Sequence, residues 1–381
     1  MTSKIVIVGA GLGGSVVTNA LAKYDLDVTV IDSSSYHLYQ PGIVDYVINE
    51  VEVEDITRPL EKVVNRKAKL VRDKAVKIDL NGRKVITARS KEIDYDYLVL
   101  APGVINKPSP FPSWHTLDEG KKIREELLKF SGKRIMISYR LPVKCPAAPF
   151  EIASHIKAHL QEAEVTLLLP LKEAPPLQRR MSEILGEAAK ATGVRVVRGA
   201  EIQDIDTNNK VITTAEGKFE YDLALIDSAI TVPPEFKDLA NEKGFIPVDK
   251  ETLKMKGHDE VFVVGDANDI LTPPKNGAAA HFQGITVAEE ILAETVGNMR
   301  PEKYKGDAMC AVYVGHDRGG FVYMNFENSY ILTPTRTFRI IKRMFTNLYW
   351  STLTGAFDST FKTVADYFWK KAKESGQIKQ L

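Results

Sequence analysis

Residues 4–32 read KIVIVGAGLGGSVVTNALAKYDLDVTVID, and this stretch decides the fold. Lys4–Val8 is a β-rich apolar run, followed at once by the turn Gly9-Ala10-Gly11-Leu12-Gly13-Gly14. A helix-compatible segment then leads to a second strand, Val28–Ile31, which ends in Asp32. The glycines permit a tight turn and let a pyrophosphate approach a helix N-terminus, where free N–H groups and the dipole favour negative charge. Asp32 stands 18 residues after Gly14, in reach of a ribose hydroxyl. A GxGxxG motif alone is weak; strand, helix and terminal acid together predict a dinucleotide-binding unit.

Residues 133–171, KRIMISYRLPVKCPAAPFEIASHIKAHLQEAEVTLLLPL, repeat the order strand, turn, helix, strand. No glycine stands between Gly132 and Gly186, so neither a tight glycine turn nor close backbone approach is available. The strand Val165–Leu169 runs into Pro170 rather than an acid, which removes the ribose partner too. In place of glycines the turn carries Cys145-Pro146-Ala147-Ala148-Pro149. The second unit is predicted to have exchanged a nucleotide pocket for a thiol.

Other segments belong with the first unit. Tyr95–Gly103, YDYLVLAPG, is a strand ending in a small-residue turn, and Val261–Asn268, VFVVGDAN, is a buried strand delivering Gly265 and Asp266. Tyr36-His37-Leu38-Tyr39-Gln40-Pro41 follows Asp32, and Pro274-Lys275-Asn276-Gly277 precedes an apolar helix. In these pieces and their order, over about residues 1–325, the chain resembles the family that joins sulfide:quinone oxidoreductases, flavocytochrome c sulfide dehydrogenases and type II NADH dehydrogenases. The resemblance implies FAD, and with only two cysteines in the chain it is expected to be held without a covalent bond. The implied binding set is Gly9, Ala10, Gly11, Leu12, Gly13, Gly14, Asp32, Ser33, Gln40, Val76, Ala101, Pro102, Gly265, Asp266, Lys275 and Gly277. Pro102 stands where relatives commonly carry threonine, a departure near the adenine end.

The same resemblance gives the cysteines a role. Cys145 to Glu151 is similar to the family's sulfide-site motif, and Cys310, in Ala308-Met309-Cys310-Ala311, falls where such enzymes carry the partner thiol. These are the only two cysteines, with 164 residues between them. A thiolate attacks sulfur and can donate electrons to a flavin, and a pair permits disulfide–thiol cycling. Two unrelated core thiols are the alternative, since free cysteine often serves as a small hydrophobe. Many sulfide:quinone enzymes have a third cysteine; its lack favours a two-cysteine cycle and argues against a thioether to the flavin. Glu151 is the candidate general base, or else an acid in the first helical turn stabilised by the dipole. Lys275 is open between stabilising negative charge on flavin or quinone and lying in a surface turn. His155 and His159 form an i,i+4 pair without a third ligand, so they are read as exposed helix residues, and no metal is expected.

Composition sets outer limits. The 381 residues suit two modest domains and an appendage, and 44% hydrophobic residues supply the cores. A net charge of +1 makes no case for nucleic acid, and two cysteines cannot build a secreted-type framework. Strand residues beginning at Lys4 leave no room for a signal peptide, and no apolar run reaches transmembrane length. Charge is uneven, however. Residues 336–381 hold nine Lys/Arg against three Asp/Glu, with nine of the 32 aromatics and two of the three tryptophans. Helical spacing there puts Phe338, Ile341, Phe345, Leu348 and Tyr349 on one face, with Arg339, Lys342 and Arg343 beside it. A second segment aligns Phe357, Phe361, Val364 and Phe368 ahead of Lys370, Lys371 and Lys373. Basic amphipathic helices with aromatics suit an anionic membrane surface, here the cytoplasmic face. The stripes could instead pack on the protein body or join a homo-oligomer.

The expected fold is α/β, with two Rossmann-like domains, the FAD domain discontinuous, and C-terminal amphipathic helices. The boundaries are residues 1–106 and 233–330 for the FAD domain, 107–232 for the second domain with Cys145, and 331–381 for the membrane-surface region. Pro108–Pro112 and Pro233–Pro234 mark the crossings, and YDLALID at 221–227 echoes YDYLVLA at 95–101, which suggests internal duplication. By resemblance, hydrosulfide attacks a disulfide or short sulfur bridge between Cys145 and Cys310, and Cys145 is released as thiolate. Sulfane sulfur then grows on Cys310, and electrons leave through FAD to membrane quinone. Type II NADH:quinone oxidoreduction, sulfide:cytochrome c reduction and a non-turnover flavin sensor are the alternatives.

Overall fold

The strand runs of both units are apolar on both faces, which forces them into parallel sheets covered by helices. The computed structural model describes residues 2–297 and 300–374. One sheet has six strands in the order Lys254–Met255, His258–Val263, Tyr97–Leu100, Lys4–Val8, Asp27–Asp32, Lys69–Arg72. All neighbours are parallel except the first pair. Lys4–Val8 lies inside the sheet, its neighbours reached in opposite directions. The glycine turn therefore opens at the carboxyl edge where strand order reverses, the usual ligand position in such sheets.

Helix α1 (Leu12–Leu21) follows that turn. The second sheet has four parallel strands, Arg195–Arg198, Glu164–Leu169, Arg134–Tyr139 and Leu223–Asp227. Its helices are α2 (Ala148–His159) and α3 (Pro176–Ala191). The chain enters and leaves this unit through Ile105–Asn106 and Ile230–Thr231, which pair antiparallel just before the two proline-rich stretches. Each unit also carries a three-stranded antiparallel meander, 75–94 and 202–220, with a register shift at the same point of its first strand. That shared irregularity supports the duplication read from the strand echo.

Helix α4 (Gly277–Thr295) packs across α1, with a Cβ at Gly284 only 3.0 Å from the Gly13 carbonyl oxygen. A three-stranded antiparallel sheet, Ala308–Val314, Arg318–Met324 and Ser329–Ile331, then leads to α5 (Arg336–Thr352) and α6 (Asp358–Glu374). Thr335 starts α5 by accepting the Phe338 N–H at 3.2 Å.

The tail corrects the sequence reading of its faces. In α6 the aromatic stripe packs inward: Phe368 stacks on Phe321 at 4.9 Å, and Phe361 meets the His281 ring edge-on at 5.2 Å. In α5 the stripe splits. Tyr349 is buried and Phe338 and Phe345 half-buried, whereas Ile341 and Leu348 face outward with Ile340 and Met344. The cause is Lys342, read as a lipid-side cation but buried at 5% exposure, where it pairs with Glu151. Arg339 and Arg343 likewise turn to Glu50 at 3.5 and 3.2 Å. No helix among the described residues is long and apolar enough to cross a membrane.

Candidate active site

The first turn is built to leave one opening. A Cβ at Gly14 would stand 1.9 Å from the Gly9 carbonyl oxygen, and one at Gly9 would stand 2.2 Å from that of Ala101. A Cβ at Gly11 would meet nothing within 4 Å. Gly11 caps α1 without any side-chain acceptor, and no acid lies in the first turn, so its N–H groups remain for an anion. This combination fits the diphosphate of FAD. Asp32 accepts the N–H groups of Ala10 and Ser34 at 2.6 and 2.7 Å, which fixes its carboxylate beside the turn. Ser33 is exposed next to it, and the Asp73 N–H donates to the Asp32 carbonyl at 3.1 Å, three residues before Val76, which is exposed. Ala101, Pro102 and Leu12 border the turn, and a Cβ at Gly277 would lie 3.1 Å from the Leu12 side chain. The fold thus unites the glycine turn with the turn that opens α4.

Gly265 sits at φ +80°, and the adjoining Asp266 is buried. Burial pushes the Asp266 carboxyl up, but Lys144 at 2.9 Å and then Lys275 outweigh it and hold the group below its usual range. Gln40 donates to the His115 carbonyl at 2.8 Å, and the His115 ring pairs with buried Asp227 at 2.8 Å. Lys275 is no surface residue: it is 4% exposed, donates to the carbonyl and side chain of Asn268 at 2.5 and 3.0 Å, and burial lowers its pKa to about 8.

The two cysteines meet at one turn. The Cys145 N–H donates to the Lys275 carbonyl at 2.8 Å, and the Cys310 thiol lies 3.7 Å from Asn276 Oδ1. Both are free thiols, partly reachable at their surfaces yet deep among protein atoms. Burial, then the Glu151 charge, pushes Cys145 up to about 11. Burial, then the charge of Cys145 itself, pushes Cys310 up to about 12, so an ionised Cys145 opposes ionisation of Cys310. Cys145 also holds φ +53°, a left-handed conformation that favours glycine.

Glu151 is 4% exposed on the first turn of α2. Its Oε1 accepts the Tyr313 N–H at 2.6 Å and the Lys342 ammonium, so the carboxylate is already paired. The Lys342 ammonium lies 4.1 Å over the Tyr313 ring, and the Tyr313 hydroxyl donates to Asp45 at 2.7 Å. Burial raises the Asp45 pKa, with Lys342 opposing. His155, expected to be exposed, is 1% exposed against Tyr313; burial and then Lys342 lower it to about 3. Helix α2 is covered by the strand Ala308–Val314 and by α5, which the isolated i,i+4 pair could not reveal; His159 does face solvent.

Sequence reasoning missed Lys342, Asp45, Tyr313, Lys144 and the His115–Asp227 pair. A signal for Lys342 existed. It lies four residues after Phe338, three before Phe345 and seven before Tyr349, on the buried helical series rather than beside it.

Residues 3–284 match the family of pyridine nucleotide-disulphide oxidoreductases. The mitochondrial sulfide:quinone oxidoreductase of Dictyostelium discoideum is 26% identical over 359 residues, covering 83% of this chain and 76% of that protein. A type II NADH:quinone oxidoreductase of Mycobacterium tuberculosis is 26% identical over 357 residues, covering 79% and 74%. The solved sulfide:quinone oxidoreductase from the hyperthermophilic bacterium Aquifex aeolicus superposes with a TM-score of 0.82 at 18% identity, over 93% of this chain and 92% of that one. That last likeness is one of fold.

Proposed function

The chain belongs to the pyridine nucleotide-disulphide oxidoreductase family, and on that premise we propose that this FAD-dependent oxidoreductase oxidises sulfide through Cys145 and Cys310 and delivers the electrons to quinone. The observation that carries the reading is two cysteines hydrogen-bonded to neighbouring residues of one turn. Cys145 reaches Lys275 through its backbone N–H and Cys310 reaches Asn276 through its thiol, close enough that a charge on Cys145 raises the Cys310 pKa. FAD supplies, when bound, two-electron acceptance between sulfur donor and quinone. The balance closes: hydrosulfide, quinone and one proton give one sulfane sulfur and quinol.

Within this reading the chain's own residues hold sulfur and move protons. Hydrosulfide attacks a sulfur of the Cys145–Cys310 bridge; the S–S bond breaks, one cysteine leaves as thiolate, and the other keeps the sulfane sulfur. Burial disfavours a charged thiolate at either position, which makes the released thiolate a strong electron donor. Lys342 offsets part of that cost, since its charge lowers both thiol pKa values. Glu151, held by Lys342 and the Tyr313 N–H, takes up the substrate proton.

Quinone is lipid-soluble, so the proposal includes a membrane surface. Its support is the outward row on α5, with Ile340 58%, Ile341 46%, Met344 64% and Leu348 42% exposed. A second reading, NADH:quinone oxidoreduction, is favoured by the equal 26% identity to the mycobacterial relative. It must seat a nicotinamide dinucleotide on a turn that has no glycine.

Anaerobic stopped-flow mixing of the purified protein with sulfide and, separately, with NADH tests the choice. Fast flavin bleaching by sulfide, reversed by a soluble quinone and slowed about 1000-fold in Cys145→Ser, is expected. Bleaching by NADH alone, or an undiminished rate in Cys145→Ser, would refute the sulfide assignment.

A further inference from the structure

The tail helices reach the cofactor turn through contacts that the proposed sulfur chemistry does not use. His37 is 3% exposed. Its Nδ1 lies 3.0 Å from the Ala10 carbonyl oxygen, in the middle of the glycine turn. A carbonyl can only accept, so Nδ1 carries the proton and Nε2 is left as acceptor. Tyr349 on α5 fills that role at 2.6 Å, its hydroxyl donating to Nε2. Burial holds the His37 pKa near 4, so at neutral pH the ring is in the neutral state that needs one acceptor and one donor. Ser15 Oγ also donates to the Ala10 carbonyl at 2.9 Å. The Tyr349 ring itself is fixed against Tyr39 at 4.5 Å and against Trp350 at 5.2 Å.

The same tail grips the other end of α1. Asn19, 3% exposed, donates to the Leu353 carbonyl at 2.7 Å and to the Val63 carbonyl at 2.9 Å. Helix α6 holds α4 in turn, through Asp358 on His281 at 3.0 Å and Lys362 on Glu289 at 2.7 Å. The helices that open at the two cofactor turns, α1 and α4, are therefore each tied to the C-terminal segment by buried or half-buried polar contacts.

We propose that the C-terminal helices are a clamp on the dinucleotide cradle, and that Tyr349, acting through His37 on the Ala10 carbonyl, is a positioning residue for the FAD-binding turn. A buried acceptor and donor in series transmit position because leaving either unpaired is costly. FAD binding and the docking of α5 are then thermodynamically linked, each strengthening the other. The inference rests on the FAD assignment alone and is independent of the electron donor.

Tyr349→Phe keeps the ring and removes only the hydroxyl. In the full chain, stripped of cofactor and titrated with FAD, the variant is expected to bind about tenfold more weakly. The rise in melting temperature conferred by saturating FAD should shrink with it, and amide exchange in residues 336–352 of the wild type should slow when FAD is added. A dissociation constant within twofold of wild type would overturn the proposal. So would an equal fall in melting temperature of the apo and FAD-bound forms, which is the mark of a merely structural hydroxyl. If Tyr349→Phe does not fold, Asn19→Ala makes the same comparison at the far end of α1, with the same expected and refuting outcomes. A wild-type chain that binds no FAD would instead refute the cofactor assignment itself.

Discussion

The two βαβ turns of this chain share a topology and differ in what they leave open. In the first, glycines at positions 9 and 14 bring backbone against backbone, and Gly11 is left facing space beside an uncapped helix. In the second, Cys145 takes a left-handed conformation at φ +53° without being glycine, and its N–H is spent on the Lys275 carbonyl. One turn leaves its backbone donors free for an anion; the other ties its backbone to the turn that opens α4 and carries a thiol in place of a glycine. The environments follow suit. The first is completed by a neutral histidine and a tyrosine, while the second has an ion pair, Glu151–Lys342, buried behind it. A repeated scaffold carries a glycine cradle in one copy and a cysteine at a left-handed turn in the other.

The sharpest way to break that contrast is to remove the charge partner that only the second turn needs. Lys342→Met leaves the Glu151 carboxylate buried with the Tyr313 N–H as its remaining partner, and should destabilise the protein by about 3–5 kcal/mol in chemical denaturation. Adding Glu151→Gln should recover a large part of that loss, because the uncompensated charge is gone. If Lys342→Met is as stable as wild type, α5 is not buried on α2 and the tail would revert to a detachable appendage.

A pH titration sharpens the comparison at the thiols themselves. Burial raises Cys145 to about 11 and Cys310 to about 12, so both are neutral at pH 7 and ionise only well into the alkaline range. Alkylation of the reduced protein by iodoacetamide should therefore climb about 100-fold from pH 7 to pH 9, with no levelling near the ordinary thiol range. The linkage has a matching sign. Thiols whose folded pKa is raised stabilise the fold below the free-thiol range, and that stability is lost as pH rises toward 11. A plateau in labelling near pH 8.5 would mean solvated cysteines and would undo the picture of a buried pair.

What could be read from the chain alone follows from the range of the interactions involved. The two parallel sheets, the glycine turn and the glycine-free one are local patterns, and the strands at 4–8, 27–32 and 164–169 appear close to where periodicity puts them. Cys145 and Cys310 could be paired only by resemblance, because their meeting depends on a third segment, Lys275–Asn276, that neither residue announces. The tail failed in an instructive way. Read by helical face, Lys342 lies beside the apolar stripe, yet its spacing from Phe338 and Tyr349 puts it on the buried face. A lysine can take that place only where an acid waits across the interface, and Glu151 is 191 residues away. The burial of His155 is equally non-local, since what covers α2 is contributed from residue 308 onward.

The smallest expected effect tests whether the second turn still has the backbone of a glycine turn. At φ +53° an L-residue bears a penalty of about 1–2 kcal/mol that glycine escapes. Glycine returns about 0.4–1 kcal/mol of this through the greater freedom of its unfolded chain. Loss of a half-buried methyl relative to alanine takes back about 0.4 kcal/mol more. Cys145→Gly and Cys145→Ala lose the same sulfur, and both should be inactive with sulfide. Yet the glycine variant should be more stable than the alanine variant by about 0.5 kcal/mol in matched denaturation curves. If alanine is the more stable, the left-handed turn is not fixed by its surroundings, and the thiol's position would depend on the residue rather than on the inherited turn.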